Sequence, residues 1–191
     1  MKEVLLLGDS IRMFYQKRVE ELLGEKYHVS APEENGRFAA YTFNSLRMWL
    51  PEFPKPDIIH WNNGLWDTAI LYAEDGCFTP VDEYIRWLER TLRKLRTTGA
   101  QIIFATTTPT HPDKVNWTGD MPPKHDNADI RRYNEAAVKL MKREGIPVND
   151  LYAQVCDDIE HYVCEDWIHP SPEGIETLAQ AVAQKIREVQ A

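Results

Sequence analysis

The stretch "EVLLLGDSIRM" (residues 3–13) decides the fold. Its first five residues contain the continuous apolar run "VLLL", which is typical of a strand buried on both faces of a sheet. Gly8, Asp9 and Ser10 follow, and apolar residues at helical spacing begin directly after them. The stretch therefore predicts a strand, a tight turn and a helix, which is the first half of a βαβ unit.

The same alternation continues to the end of the chain. Further helices are predicted over 11–23, 42–50, about 79–98, 130–145 and from Ser171 onward. Further strands are predicted over 27–31, 57–61, 101–107 and within 146–152. Five strands that alternate with helices predict a five-stranded parallel sheet, an α/β fold with helices on both faces and right-handed crossovers. The length of 191 residues suits one domain over residues 1–191.

Helix boundaries are marked by turn and capping residues. Pro51 is expected to end the second helix, and Thr79 is expected to cap the third, with Pro80 as its first residue. Ser171 and Pro172 form the same start signal for the last helix. Residues 108–129 are predicted to be one long polar loop, and loops of that length in compact domains are usually functional or disordered.

Composition excludes several classes of partner. The net charge of -8 argues against nucleic-acid binding and against docking on anionic membranes. No apolar stretch approaches a membrane span, and the short run after Met1 lacks the features of a signal peptide. Three cysteines without a zinc-binding spacing indicate reduced thiols, so a cytoplasmic location is expected. The sequence indicates no oligomeric state.

Chemistry-bearing side chains follow the strands of the predicted sheet. Ligands of open parallel sheets bind at the carboxyl ends of the strands. Ser10 follows the first strand, whereas Asp166 and His169 follow the last, so the two ends of the chain are expected to meet. A serine hydroxyl needs an imidazole as base, and the imidazole needs an acid on its other nitrogen. Ser10, Asp166 and His169 are therefore predicted to form a catalytic triad.

At this point the chain resembles the SGNH (GDSL-type) hydrolase superfamily. The resemblance is carried by "GDSI" (8–11), "ENG" (34–36), "NNGLWD" (62–67) and "DWIHP" (166–170), in that order. It implies a flavodoxin-like three-layer α/β/α sandwich and hydrolysis of esters or thioesters without a metal or other cofactor. It also implies Ser10 as nucleophile, His169 as base, Asp166 as its orienter and the N–H groups of Ser10 and Gly36 as oxyanion donors.

The third oxyanion donor is where the chain departs from the family pattern. The family block has Gly-x-Asn-Asp, but an ungapped match places Trp66 at the asparagine position. Asn62 and Asn63 lie just upstream. We expect Asn63 to donate because it is nearer the strand tip, with Asn62 and the indole N–H of Trp66 as alternatives.

Other histidines and tryptophans are weaker candidates. His60 lies within a strand and is expected to pack in the core. His111 and His125 could bind zinc with Asp113 or Asp126, but we expect solvated loop residues and no metal site. A stacking surface for a sugar ring or an aromatic ligand could be formed by Trp61, Trp66 and Trp117, and core packing is the alternative for Trp61 and Trp66.

The sequence thus predicts a serine esterase that forms an acyl-enzyme on a small-molecule ester. Small acyl groups are favoured because no long apolar segment suggests a tunnel, and an O-acetylated carbohydrate is the suggested substrate. One alternative is a binding or regulatory module that kept the fold and weakened the activity. Another is a phosphate or nucleotide binder, which the absence of GxxxxGK[ST] and GxGxxG disfavours.

Overall fold

A single parallel sheet organises the chain. The computed structural model describes residues 1–111 and 124–190, and the sheet order within them is β2-β1-β3-β4-β5, with every neighbouring pair parallel. This confirms the predicted five-stranded sheet. The strands are β1 (Lys2–Leu7), β2 (Tyr27–Ser30), β3 (Ile58–Asn62), β4 (Gln101–Ala105) and β5 (Val148–Asn149).

Helices cover both faces of the sheet and give a three-layer α/β/α sandwich, as the resemblance implied. The helices are α1 (Ser10–Leu23), α2 (Ala39–Glu52), α3 (Val81–Arg96), α4 (Asn127–Arg143), α5 (Leu151–Val155), α6 (Ile159–Tyr162) and α7 (Pro172–Glu188). The helices α1, α5 and α7 pack on one face, whereas α2, α3 and α4 pack on the other. None of the described helices has the length and apolar character needed to cross a membrane.

The strand β1 shows why a continuous apolar run forms a central strand. Val4 and Leu6 face the α1/α7 layer, whereas Leu5 and Leu7 face the α2/α3/α4 layer. All four side chains are buried. Each contributes roughly 1.5–3 kcal/mol by leaving water, so the run is stable only between two layers.

The helix α2 differs from its predicted bounds of 42–50. It begins at Ala39, because the carboxylate of Asp67 accepts the Ala39 N–H at 3.2 and 3.1 Å. This capping group lies 28 positions away along the chain, so no local signal reveals it. Pro51 lies inside the last turn instead of ending the helix. A proline there removes one hydrogen bond near a helix end, where the cost is small.

The start of α3 was predicted one residue too early. Pro80 occupies the N-cap position and makes no side-chain capping bond, and Val81 is the first helical residue. Thr79 is engaged elsewhere, because its N–H donates to the Asp67 carbonyl at 3.1 Å and its own carbonyl accepts from the Tyr133 hydroxyl. Thr79 therefore supports a buried loop and does not cap the helix.

The long loop over 108–129 is shorter than predicted at its far end. The helix α4 begins at Asn127, where the Asp126 carboxylate caps the Ala128 N–H at 2.6 Å. Residues 112–123 lie outside the described part of the chain. The strand β4 is also shorter than the predicted 101–107, whereas β5 is a short strand within 146–152 as predicted, and the residues after it form α5.

The packing of α1 beside α7 brings the two ends of the chain together. Arg18 on α1 donates to both carboxylate oxygens of Glu176 on α7, at 2.6 Å from Nε and 3.2 Å from Nη2. Bidentate pairs of this kind fix geometry as well as charge. The first residue of α1 and the segment before α7 therefore lie at the same edge of the sheet.

Gly174 in the first turn of α7 should tolerate no side chain. A Cβ there would lie 2.1 Å from the Tyr162 carbonyl oxygen. We expect Gly174→Ala to lower the free energy of unfolding by about 1–3 kcal/mol, as overpacking does. The exposed neighbour provides the control, because Glu173→Ala should stay within about 0.5 kcal/mol of the parent. Equal stability of the two variants in urea unfolding would contradict the close contact.

Candidate active site

Ser10 is held at the junction between β1 and α1. The Asp9 carboxylate accepts the Ile11 N–H at 3.0 Å and so caps α1, which leaves Ser10 as the first helical residue. The Ser10 N–H makes no hydrogen bond within the described residues. A helix N-terminus with a free N–H favours negative charge close to the serine hydroxyl.

Two glycines let the neighbouring chain segments approach this junction. A Cβ on Gly8 would lie 2.0 Å from Asn62 Oδ1, so β3 approaches the turn after β1 too closely for any side chain. The Gly36 N–H donates to the Gly8 carbonyl at 2.8 Å. In this structure that N–H is engaged by Gly8, so Gly36 would have to leave this carbonyl before acting as an oxyanion donor.

The segment before α7 presents His169 through a turn built on Asp166. Asp166 Oδ1 accepts the N–H groups of Ile168 at 3.0 Å and His169 at 2.8 Å. Burial raises the pKa of Asp166, but these two N–H donors and the His169 ring lower it further, to about 2. The carboxylate is therefore ionised, and the spacing Asp-x-x-His lets one residue fix both the backbone and the ring of His169.

Ser10, His169 and Asp166 form one hydrogen-bonded chain. His169 Nδ1 lies 2.6 Å from Asp166 Oδ2, and His169 Nε2 lies 2.9 Å from Ser10 Oγ. An ionised carboxylate can only accept, so Nδ1 of a neutral His169 carries the proton and Nε2 is free to accept from Ser10. Phe14 stacks on the His169 ring with the centroids 4.7 Å apart and so supports its orientation.

The backbone is strained between Asp166 and His169. Trp167 has a φ of 70°, a left-handed conformation that is unfavourable for a large side chain. The surroundings hold it there, because the His111 N–H donates to the Trp167 carbonyl at 2.9 Å and the Trp167 N–H donates to the Cys164 carbonyl at 2.9 Å. The turn is therefore held from both sides.

The side chain of Asn63 points into the protein. Its Nδ2 donates to the Arg37 carbonyl at 3.1 Å and to Thr42 Oγ1 at 2.9 Å, and its Oδ1 accepts from Trp61 Nε1 at 2.7 Å. Both amide hydrogens are therefore engaged. The geometry does not support the expectation that Asn63 is the third oxyanion donor.

Asn62 and Trp66, the two alternatives, lie in different surroundings. Asn62 is buried beside Gly8 and Asp9, and its Oδ1 has no hydrogen-bond partner within the described residues. Trp66 is 40% exposed and lines a cavity together with Ser10. Of the three residues proposed from the sequence, Trp66 is therefore the one that lies on the wall of this cavity.

The cavity at Ser10 has a volume of about 150 Å³ and mostly apolar walls. Ser10 and His169 both line it. The other lining residues are Leu65, Trp66, Ala69, His125 and Ile168. A larger cavity of about 390 Å³ lies at the opposite edge of the sheet, beside Glu3 and His28, and contains none of the predicted site residues.

Two buried carboxyl groups support the site from behind. Burial raises the pKa of Asp9, although the Ile11 N–H, the Asn62 amide and the Arg12 guanidinium lower it. Burial also raises the pKa of Asp67 to about 7, although the Ala39 N–H and the Thr79 hydroxyl lower it. Both carboxyl groups accept hydrogen bonds from backbone N–H groups, and burial makes their charged forms unfavourable.

The remaining histidines differ in part from expectation. His60 is buried as predicted, and burial lowers its pKa to about 3. His111 and His125 were expected to be solvated, which is wrong for His111, because it is buried against Trp167, whereas His125 is partly buried and lines the cavity. No group of three potential metal ligands occurs in the described part of the chain, whereas Asp113 lies outside it.

The tryptophans divide between core and site. Trp61 is in the core, where it packs edge-to-face on Phe104 with the ring centroids 5.1 Å apart. Trp66 is not a core residue and presents its ring at the cavity. Trp117 lies outside the described residues. Of Trp61 and Trp66, which the structure describes, Trp66 is thus the one placed to contact a ligand.

Comparison with protein families accounts for most of the chain. Residues 6–176 match the GDSL-like lipase/acylhydrolase family. The chain belongs to this family. It is therefore an SGNH/GDSL-type ester hydrolase, and the resemblance found in the four sequence blocks is confirmed. A search of curated proteins found no match.

Solved structures of similar fold include several esterases. An aryl esterase from M. smegmatis matches with a TM-score of 0.82 at 13% identity, over 98% of this chain and 99% of that one. An acetyl xylan esterase, AlAXEase, matches with a TM-score of 0.77 at 17% identity, over 96% and 99%. A lipase/acylhydrolase from Enterococcus faecalis matches with a TM-score of 0.78 at 17% identity, over 98% and 96%. At these identities the likeness establishes the fold.

The raised pKa of Asp67 predicts how stability depends on pH. The folded state binds this proton more tightly than the unfolded state, so the free energy of unfolding falls as pH rises from about 4 to about 7. In Asp67→Asn the free energy of unfolding should fall less steeply with pH than in the parent. We expect the two slopes to differ by on the order of 1 kcal/mol per pH unit.

Urea unfolding of the parent and Asp67→Asn at several pH values between 5 and 8 measures this effect. The exposed residue Glu74 provides the control, and Glu74→Gln should follow the parent. An unchanged slope for Asp67→Asn between pH 5 and 7 would show that Asp67 titrates in its ordinary range.

Proposed function

We propose that the protein is a serine esterase that hydrolyses esters of small acyl groups through an acyl-enzyme intermediate. The observation that carries the proposal is the chain of two hydrogen bonds from Asp166 through His169 to Ser10, with distances of 2.6 and 2.9 Å. Residues 159 positions apart meet in the geometry that a nucleophile and its base require.

The proposed reaction follows from the protonation states. Ser10 Oγ attacks the ester carbonyl carbon while its proton moves to His169 Nε2, and the carbonyl oxygen becomes an oxyanion. His169 then gives this proton to the leaving alcohol oxygen as the carbon–oxygen bond breaks. A water molecule repeats the sequence on the acyl-enzyme, and Ser10 regains its proton as the acid is released. Asp166 stabilises the protonated ring and fixes its orientation.

Negative charge on the oxyanion is stabilised at the N-terminus of α1. The Ser10 N–H is free within the described residues, and the dipole of the 14-residue helix α1 favours charge there. We assign the third donor to the indole N–H of Trp66, because Trp66 shares the cavity with Ser10 while the amide of Asn63 is engaged internally.

The size of the cavity at Ser10, which the acyl group and the leaving alcohol would share, supports a small acyl group. A volume of about 150 Å³ lies below the roughly 300–1,000 Å³ of sites for drug-sized ligands. The exposed ring of Trp66 offers a stacking face for a sugar. The fold is shared with a protein described as an acetyl xylan esterase. O-acetyl groups on a carbohydrate are therefore the substrates that we propose.

A binding module with weakened activity is the second candidate. It is favoured by the internal hydrogen bonds of Gly36 and Asn63, which remove two donors that the family pattern would supply. The intact triad geometry favours the enzyme. Labelling of the serine separates the two, because a module without catalysis has no activated nucleophile.

We retain a cytoplasmic location as a proposal. It is supported by the three cysteines, which are all described and form no disulfide. Cell fractionation tests it, and recovery of the protein from the medium or an envelope fraction would contradict it.

Ser10 should react with a fluorophosphonate in the folded protein. We expect one covalent label on Ser10, no label on Ser10→Ala, and a loss of several orders of magnitude in kcat in that variant. Intact-mass and peptide mass spectrometry locate the label, and 4-nitrophenyl acetate measures kcat. The exposed residue Asn44 offers a control, because Asn44→Ala should keep both properties. A label at another residue would exclude the proposed nucleophile.

Trp66→Phe and Asn63→Ala should have different effects. Trp66→Phe removes an oxyanion donor but keeps the ring, so kcat should fall by about 10²-fold with KM nearly unchanged. Asn63→Ala leaves the Trp61 N–H without its acceptor, so it should lower the free energy of unfolding by about 1–3 kcal/mol. A stable Asn63→Ala with low kcat, beside a fully active Trp66→Phe, would return the donor role to Asn63.

A further inference from the structure

His125 brings a polar group into a mostly apolar cavity. It lines the cavity at Ser10 together with Leu65, Trp66, Ala69 and Ile168. The sequence predicted a solvated residue of a long loop at this position, with zinc binding as the alternative. A ring nitrogen on the wall of this cavity can form a hydrogen bond with a bound ligand.

The backbone on both sides of His125 is fixed. Lys124 pairs with Ile70 as an antiparallel bridge, with N–H to carbonyl distances of 2.8 and 3.1 Å. On the other side, the amide of Asn127 pairs with the backbone of Thr110 through bonds of 3.0 and 2.7 Å. His125 thus has a defined position at the wall of the cavity.

Thr68 determines which nitrogen of His125 carries the proton. The Thr68 hydroxyl donates to the Leu65 carbonyl at 2.9 Å, and its oxygen lies 3.3 Å from His125 Nδ1. A hydroxyl has one hydrogen, so Thr68 can only accept from His125. The proton therefore lies on Nδ1, and Nε2 has a free lone pair and no partner within the described residues.

The ring is also neutral. Burial lowers the pKa of His125 to about 4, so the imidazole is uncharged around neutral pH. A neutral ring with its proton on Nδ1 is an acceptor at Nε2. Such a group cannot stabilise an oxyanion, but it can bind an O–H group.

The leaving alcohol is the part of the ester that meets this acceptor. His169 must reach the leaving oxygen to protonate it, and His169 and His125 line the same cavity. We propose that His125 Nε2 accepts a hydrogen bond from a hydroxyl on the leaving group and so selects esters of polyols or sugars. This inference rests on the proposed esterase function and assigns His125 as the residue that selects its leaving group.

Two acetate esters of equal shape test the proposal. In 2-hydroxyethyl acetate a hydroxyl replaces the terminal methyl of n-propyl acetate. The parent should have the higher kcat/KM on 2-hydroxyethyl acetate, and His125→Phe should lower the ratio of the two values by about tenfold, the loss expected for one hydrogen bond. His125→Gln keeps an acceptor oxygen and should retain most of the ratio.

Two further measurements separate recognition from folding. Thr68→Val removes the acceptor that fixes the proton on Nδ1, so it should lower the same ratio while His125 is still present. Nitrogen-15 NMR of the parent should show Nε2 of His125 unprotonated. The exposed histidine His28 at the opposite edge of the sheet provides the control, and His28→Phe should leave the ratio unchanged.

The outcomes distinguish this inference from the proposed function. If the parent hydrolyses neither ester nor 4-nitrophenyl acetate, the esterase function itself fails. If it hydrolyses both esters without preference, or if the preference survives in His125→Phe, the role of His125 is wrong and the esterase function stands. A second pair of esters, 4-nitrophenyl glycolate and 4-nitrophenyl propionate, differs in the acyl group. A His125-dependent preference for the glycolate, with no preference between the two acetates, would also overturn the proposal, because His125 would then recognise the acyl group.

Discussion

The packing of α1 against α7 fixes the distance on which the site depends. The two helices share one apolar cluster, and Arg18 and Glu176 join them by a bidentate pair. Ser10 begins α1, and His169 lies just before α7, so their separation is determined by the crossing of two helices. Because packed interiors resist small displacements, a hydrogen bond of 2.9 Å between these residues is maintained by the whole α1/α7 layer.

The polar groups behind Ser10 are costly for stability. Several buried atoms there have no partner within the described residues; they are Asp9 Oδ2, Arg12 Nε, Tyr15 Oη, His60 Nδ1 and Asn62 Oδ1. An apolar interface between β1, β3 and α1 would be more stable, since each unpartnered buried group costs roughly 1–3 kcal/mol. The groups nonetheless shape the turn, because Asp9 caps α1 and Asn62 occupies the space that Gly8 leaves open. Functional sites commonly retain such local costs.

The sequence predicted the features that depend on local pattern and chain order. The apolar run of β1, the cap at Ser171 and the Asp-x-x-His spacing are local, and the structure has all three.

Features that depend on distant partners were missed. Asp67 caps α2 from 28 positions away, and this moved the start of the helix. Asn63 and Trp66 are three residues apart, and only the structure shows their different surroundings. Asn63 bonds to Thr42 and Trp61, whereas Trp66 lines the cavity with Ser10. His125 was assigned to solvent because no sequence signal indicates that Thr68 lies beside it.

The arrangement of donors and acceptors around Ser10 orients the ester before any bond is broken. The α1 N-terminus presents a free N–H, whereas His125 presents a lone pair. A carbonyl oxygen that gains negative charge is attracted by the N–H at the start of α1 and repelled by the lone pair of His125. The proposed carbonyl oxygen therefore points toward α1, and our proposal assigns the side of the cavity at His125 and His169 to the alcohol. In that proposed orientation the leaving oxygen can receive the proton that Nε2 of His169 has taken from Ser10, and the leaving group enters the cavity lined by Trp66 and His125. In this proposal the tautomer of the neutral His125 thus connects the direction of attack with the choice of leaving group.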